Sequence, residues 1–197
     1  MANHVYTTIT ITGNKEVMDK LEEIKIKVEE HNNENHTALM NGFYDNMENT
    51  YAWYGDNVGA KWCYHDEFWV DIEGEVAELR TTSAWYPPLE FIQHIYNICS
   101  PLDSECEIDG DYENEATTPI GGFVINKNGF NHEEYDDEVE YPDEDNYEIK
   151  EGEYYSEEYE SAMEEYYERV SELRSEMKSL AHNNLQNKLE SETTVSS

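Results

Sequence analysis

From Val5 to Thr12 the chain alternates. Val5, Thr7, Ile9 and Ile11 fall on one side, and Tyr6, Thr8, Thr10 and Thr12 on the other. β-Branched residues at a period of two define a strand. Gly13 ends it and Asn14 is placed to cap a helix. Over Lys15–His31 the period changes: Val17, Leu21, Ile24 and Val28 recur at three- and four-residue spacing, one apolar stripe on a helix. This change of period within thirty residues constrains the fold more than any other feature of the chain.

The rest of the first 130 residues extends the pattern. Asn32–Asn41 is polar and reads as a loop, and Asn41–Trp62 as an aromatic, glycine-bearing structured loop with room for a short helix. Cys63–Ile72 is a strand, Gly74 a turn and Glu75–Ala84 its hairpin partner. Pro87-Pro88 open a helix whose core face is Leu89, Ile92, Ile95, Tyr96 and Ile98. Cys106–Tyr112 and Ile120–Asn126 are further strands, and Asn128-Gly129 marks a turn. Strand, helix, strand, strand, helix, strand, with one strand more, is the split βαβ order of an α+β, ferredoxin-like sandwich. The expected organisation is this domain at 1–130, an acidic linker or loop at 131–152, a long acidic helix at 153–190 and a disordered tail at 191–197.

Charge then sets the kind of partner. The chain carries 46 acids and 12 bases in 197 residues, net −34. Residues 1–130 hold 24 acids against 7 bases and residues 131–197 hold 22 against 5, so the second part has the same net −17 in about half the length. Residues 131–168 contain 18 acids, one base (Lys150) and eight of the 16 tyrosines. Such a charge opposes direct binding to nucleic acid or anionic lipid, which needs Lys and Arg. No apolar run approaches the ~18 residues of a membrane span, and the N-terminus has no secretory-signal pattern. Cys63, Cys99 and Cys106 are odd in number and lack metal spacing, which fits a reducing cytoplasm.

The C-terminal helix carries two patterns. Tyr159, Met163, Tyr166, Val170, Leu173, Met177 and Leu180 are spaced 4, 3, 4, 3, 4, 3, an a/d seam of about three heptads. The seam has three readings: packing on its own domain, a coiled-coil homodimer, or docking on another protein. The second pattern is Glu153, Glu157, Glu158, Glu160, Glu164, Glu165 and Glu168, seven acids in 16 residues, with Tyr155 and Tyr167 among them. At ~1.5 Å rise this is one charge per ~3.4 Å, close to the phosphate spacing along one DNA strand. Carboxylates so placed can stand in for phosphates; they can also be a solvated face kept for solubility.

Sites of chemistry are weaker. Glu107, Asp109, Asp111, Glu113 and Glu115 alternate and would share one face of a strand. A calcium loop fails, with Asn114 at the sixth-position glycine and Ile120 at the twelfth-position glutamate. His65-Asp66-Glu67 lacks the spacing of a metal site. No nucleophile elbow, P-loop or dinucleotide glycine pattern occurs. Gly121-Gly122 fits a strand needing close backbone approach. Cys63 has no base partner in the pattern and reads as a buried thiol. The expectation is a protein without catalytic residues, metal or cofactor.

Asn57-Val58-Gly59-Ala60-Lys61-Trp62, then Thr82-Ser83-Ala84-Trp85-Tyr86-Pro87-Pro88, then Gly121-Gly122, resemble the YubB-type (Api92-like) ferredoxin-like domain family of phages, plasmids and genomic islands. That family's pattern runs Asn-Trp-Gly-Thr-Lys-Trp, Thr-Ala-Trp-Ser-Pro-Pro and a late glycine pair. Gly59, Lys61, Trp62, Ala84, Trp85, Pro87 and Pro88 match, while Val58, Ala60 and Tyr86 depart. The resemblance covers about residues 2–130. It implies the fold already read and a mobile-element origin, and it adds no activity. Physically, Trp62 and Trp85 could share an aromatic pocket with Lys61 and Arg80 as cations, or form a packed corner of the core.

The sequence therefore points to a cytoplasmic, phage-type, non-enzymatic protein whose acidic helix blocks a host nucleic-acid-binding defence protein by charge mimicry. The alternative is a small-ligand or nucleotide-binding domain using Lys61, Trp62, Arg80 and Trp85.

Overall fold

A computed structural model describes residues 3–31, 37–115, 118–137, 139–147 and 156–195. The elements are β1 (His4–Thr12), α1 (Lys15–His31), α2 (Ala38–Phe43), α3 (Tyr51–Asn57), β2 (Cys63–Asp71), β3 (Val76–Ala84), α4 (Leu89–Cys99), β4 (Glu107–Asn114), β5 (Ile120–Asn126), β6 (Gly129–Tyr135) and α5 (Glu157–Val195). A single turn of 3₁₀ helix lies at Glu144–Asn146.

The six strands form one sheet in the order β2-β3-β1-β4-β5-β6, every neighbouring pair antiparallel. β1 lies between β3 and β4, and α1 and α4 supply the two crossovers. This is the split βαβ, ferredoxin-like core, extended at its β4 edge by two strands where the pattern predicted one.

The alternation of β1 sorts the two faces. Val5, Ile9 and Ile11 are fully buried with Ala77, Leu79, Ile108 and Phe123, and they pack under Val17, Leu21, Ile24 and Val28 of α1 and Phe91, Ile92 and Ile95 of α4. Asn14 caps α1 as expected: its Oδ1 accepts from the backbone N–H groups of Glu16 (2.9 Å) and Val17 (3.1 Å). The opposite face is divided. α5 covers it over β4, β5 and β6, while β2, β3 and β1 leave residues such as Tyr6 and Trp69 exposed.

Four expectations need correction. Residues 131–135 are not linker but belong to β6, which pairs with β5 from Asn126↔Gly129 to Ile120↔Tyr135. Ala38–Asn41 is not polar loop: Ala38, Leu39 and Met40 are buried in α2 against α1, because three apolar residues in a row can be covered by one neighbouring helix. α5 begins at Glu157, where the Ser156 Oγ accepts from the Tyr159 N–H (3.1 Å), and it continues through Val195 rather than giving way to a disordered tail at 191. Finally, a boundary at 130 does not separate two units. Ile120 of β5 packs with Val170 and Leu173, and Val124 with Ala181 and Leu185, so α5 shares its core with the sheet.

Candidate functional site

α5 lies on the sheet along a stripe of Val170, Leu173, Met177, Ala181 and Leu185, all buried. Their spacing is 3, 4, 4, 4. A straight helix turns ~100° per residue, so a stripe held against a sheet follows the 3.6-residue period and drifts off a 3.5-residue seam. Leu180 is thereby carried out to 42% exposure and Ala181 takes its place. Of the seam read from the sequence, Val170, Leu173 and Met177 are buried, Tyr159, Met163 and Tyr166 are half-buried, and Leu180 is exposed. The apolar stripe is used within the chain, the first of its three readings.

The glycine pair makes this contact close. A Cβ on Gly122 would lie 2.2 Å from the Lys178 backbone nitrogen, so α5 rests directly on the β5 backbone. A Cβ on Gly121, on the other face, would lie 2.3 Å from the Tyr112 ring. That ring crosses β5 to reach β6. Its O–H donates to the Glu134 carboxylate, and the His132 Nε2 lies 2.7 Å away, a contact that requires a proton on Nε2. Burial raises the Tyr112 hydroxyl and lowers His132, so both stay neutral inside.

The helix cations have a defined place. Arg174 pairs with Asp111 and with Glu113 (3.2 Å), Lys178 with Asp109 (2.8 Å), and His182 with Asp109 (3.2 Å). Spacing of four residues on α5 thus meets spacing of two on β4. The shared face of Glu107, Asp109, Asp111 and Glu113, expected from their alternation, is the face under α5. Glu107, Asp109 and His182 present oxygen and nitrogen atoms within 4.8 Å of one another. Asp109 is nonetheless engaged by Lys178 and by the His182 ring, and Glu107 accepts from the Asn126 amide (2.8 Å).

The remaining acids of α5 point elsewhere. At ~100° per residue, Glu157, Glu158, Glu160, Glu164, Glu165 and Glu168 fall within an arc of about 160°, centred opposite the docked stripe. All six are exposed, and among the described residues none forms an ion pair. Val170 meets Ile120, the first residue of β5. Tyr166 packs on the same cluster, and the nine residues before it, Glu157–Glu165, about 14 Å at 1.5 Å each, run on from there. Tyrosines line the inner side of this projection: Tyr141 packs edge-on against Tyr166 (5.1 Å), and Tyr147 against Tyr159 (5.4 Å). Tyr141, Tyr159, Met163 and Tyr167 border a shallow groove with Glu160, Glu164 and Glu168 on its rim. Glu153 and Tyr155, also expected here, lie outside the described residues.

A second site lies at the β2 edge of the sheet. A cavity of about 820 Å³ is lined by His4, Thr37, Asn49, Thr50, Tyr51, Tyr54, Lys61, Trp62 and Tyr64. Trp62 stacks on Tyr64 (5.5 Å, 13°), and the Lys61 Nζ stands 4.8 Å from the Tyr51 ring centre and 5.6 Å from that of Trp85. Trp85 is half-exposed and holds a left-handed backbone (φ 76°), fixed by its N–H donating to the Asn3 carbonyl (2.9 Å). Lys61, Trp62 and Trp85 are thus brought together. Arg80 is not: it lies on the open sheet face, paired with Glu67 (3.3 Å) and Glu78 (2.8 Å). Its position on β3 opposite Thr8 of β1 carries it away from the cavity. Neighbouring Cys63 is fully buried, which pushes its thiol up to about 12 and leaves it unreactive.

Fold and surface together define an α+β protein with a split βαβ core and an acidic helix clamped across an extended sheet. No helix among the described residues is long and apolar enough to cross a membrane. Compared with protein-family models, with curated proteins and with solved structures, the chain gives no match in any of the three.

Proposed function

We propose that this chain is a non-catalytic, mobile-element-type protein that acts in the host cytoplasm. Its projecting acidic helix occupies the nucleic-acid-binding surface of a host protein, such as a defence nuclease. The observation that carries this reading is the separation of charge along α5. The cations Arg174 and Lys178 are drawn onto β4, with His182 beside them, while six carboxylates between Glu157 and Glu168 face outward on one side with no counter-ion among the described residues. Concentrating like charge costs stability, so a one-sided, uncompensated array is best explained by a cationic partner. The exposed Tyr167 and the half-buried Tyr159 beside the carboxylates supply the apolar contact that interfaces use. The mobile-element origin rests on the resemblance carried by residues 57–62 and 82–88.

The test is capture from host lysate by the full chain and by a variant with Glu157, Glu158, Glu164 and Glu165 all changed to Lys. Truncation at residue 130 would not serve, because removing α5 uncovers Ile120 and Val124. The expected result is a nucleic-acid-binding protein held by the full chain, eluted by duplex DNA or by about 0.5 M salt, and not held by the variant. Equal capture by the two chains would contradict the proposal.

A further inference from the structure

The cavity at the β2 edge differs in chemistry from the rest of the molecule. The chain has 46 acids, yet none of the described residues lining this cavity is acidic. Four of the lining residues are Tyr or Trp, and Thr37, Asn49 and Thr50 add hydroxyl and amide groups. Its volume lies in the range of small-molecule sites, roughly 300–1,000 Å³. His4 is already tied to Glu115 (3.1 Å). Lys61 is different: among the described residues its ammonium group has aromatic neighbours and no carboxylate partner. Most other cations of the chain are in ion pairs with acids. A cavity lined by aromatic rings and one cation without a carboxylate partner suits a planar ring carrying an anionic group.

We infer that this cavity binds a free mononucleotide of the nucleoside monophosphate class, with the base among the lining aromatic rings and the phosphate at the Lys61 Nζ. A longer nucleic acid is disfavoured, because each further phosphate meets the field of a −34 chain with no second lysine among the described lining residues. The site lies at the β2 edge, whereas α5 covers β4–β6, so it stands independently of the acidic helix.

The test titrates the full chain with AMP, GMP, CMP and UMP, the parent nucleosides, inorganic phosphate and a pentanucleotide. Binding is read by calorimetry and by tryptophan emission. At least one monophosphate should bind saturably below about 1 mM and about ten-fold tighter than its nucleoside. Lys61→Met should erase that difference while leaving the nucleoside affinity unchanged. Tyr51→Ala, at a side chain 71% exposed and so outside the core, should weaken nucleoside and nucleotide alike by about ten-fold. Near-UV circular dichroism verifies that both variants fold. The inference is overturned if no monophosphate binds below 1 mM, if nucleoside and nucleotide bind equally, if neither substitution alters the affinities, or if the pentanucleotide binds more tightly than the monophosphate.

Discussion

Single residues carry much of this structure, and Gly122 is the clearest case. With the Lys178 backbone 2.2 Å from where its Cβ would be, Gly122→Val must lift α5 off β5. The expected cost is about 1–3 kcal/mol by denaturant unfolding, with Met177 and Ala181 becoming solvent-accessible. His132 supplies a pH test. Burial lowers both His132 and His65 from the ordinary value of 6.5. Below about pH 6.5 the unfolded chain takes up protons that the folded one refuses, so stability falls with acidification until the folded values are reached. The melting temperature should decline between about pH 7 and 5.5, and more gently in His132→Gln. An equal slope in the variant would remove His132 from the account. The close approach at Gly121-Gly122 and the inert Cys63 were both legible in the sequence. The Tyr112–His132–Glu134 contacts were not, since nothing in the spacing of these residues marks β4 and β6 as two strands apart.

Elements were legible where periodicity was driven by apolar burial. β1, α1 and α4 each bury an apolar face in one core, and their bounds follow the pattern. β6 escaped because its partners are polar: Asn131 donates to the Ala181 carbonyl (3.2 Å), Glu133 accepts from Asn184 (2.8 Å), and His132 and Glu134 bond Tyr112. A strand satisfied by side-chain hydrogen bonds shows no apolar alternation. For α5, the basic residues of the second half suit the helix dipole, but their larger role is to neutralise β4. Arg174→Met should therefore cost about 1–3 kcal/mol, because Asp111 and Glu113 lose their counter-charge while partly buried. Reversing Glu164 and Glu165, beyond the first turn, to Lys should leave thermal stability equal or higher, since these exposed carboxylates repel their neighbours. This contrast separates the acids that hold the fold from those that do not. Val170→Asp should destabilise the monomer rather than split a dimer, as Val170 is buried against Ile120; analytical ultracentrifugation with thermal melting distinguishes the two.

At the scale of the whole molecule, the acids fall into two groups. One set of acids is partly buried under the helix with its cations, and another lies on the outer side of α5 with no ion pair among the described residues. A −34 chain so arranged should gain melting temperature as salt rises from about 0.02 to 0.5 M, because screening relieves self-repulsion while the partly buried Arg174 and Lys178 pairs are screened less. The same salt range should weaken partner binding, so stability and affinity move in opposite directions. The most direct test is competition: the apparent affinity of the captured partner for its own nucleic acid, measured at increasing concentrations of this protein. Occupancy of one shared surface predicts strict competition, with the apparent Kd for nucleic acid rising linearly with protein concentration and no ternary complex. A ternary complex, or an unchanged Kd, would contradict charge mimicry by α5.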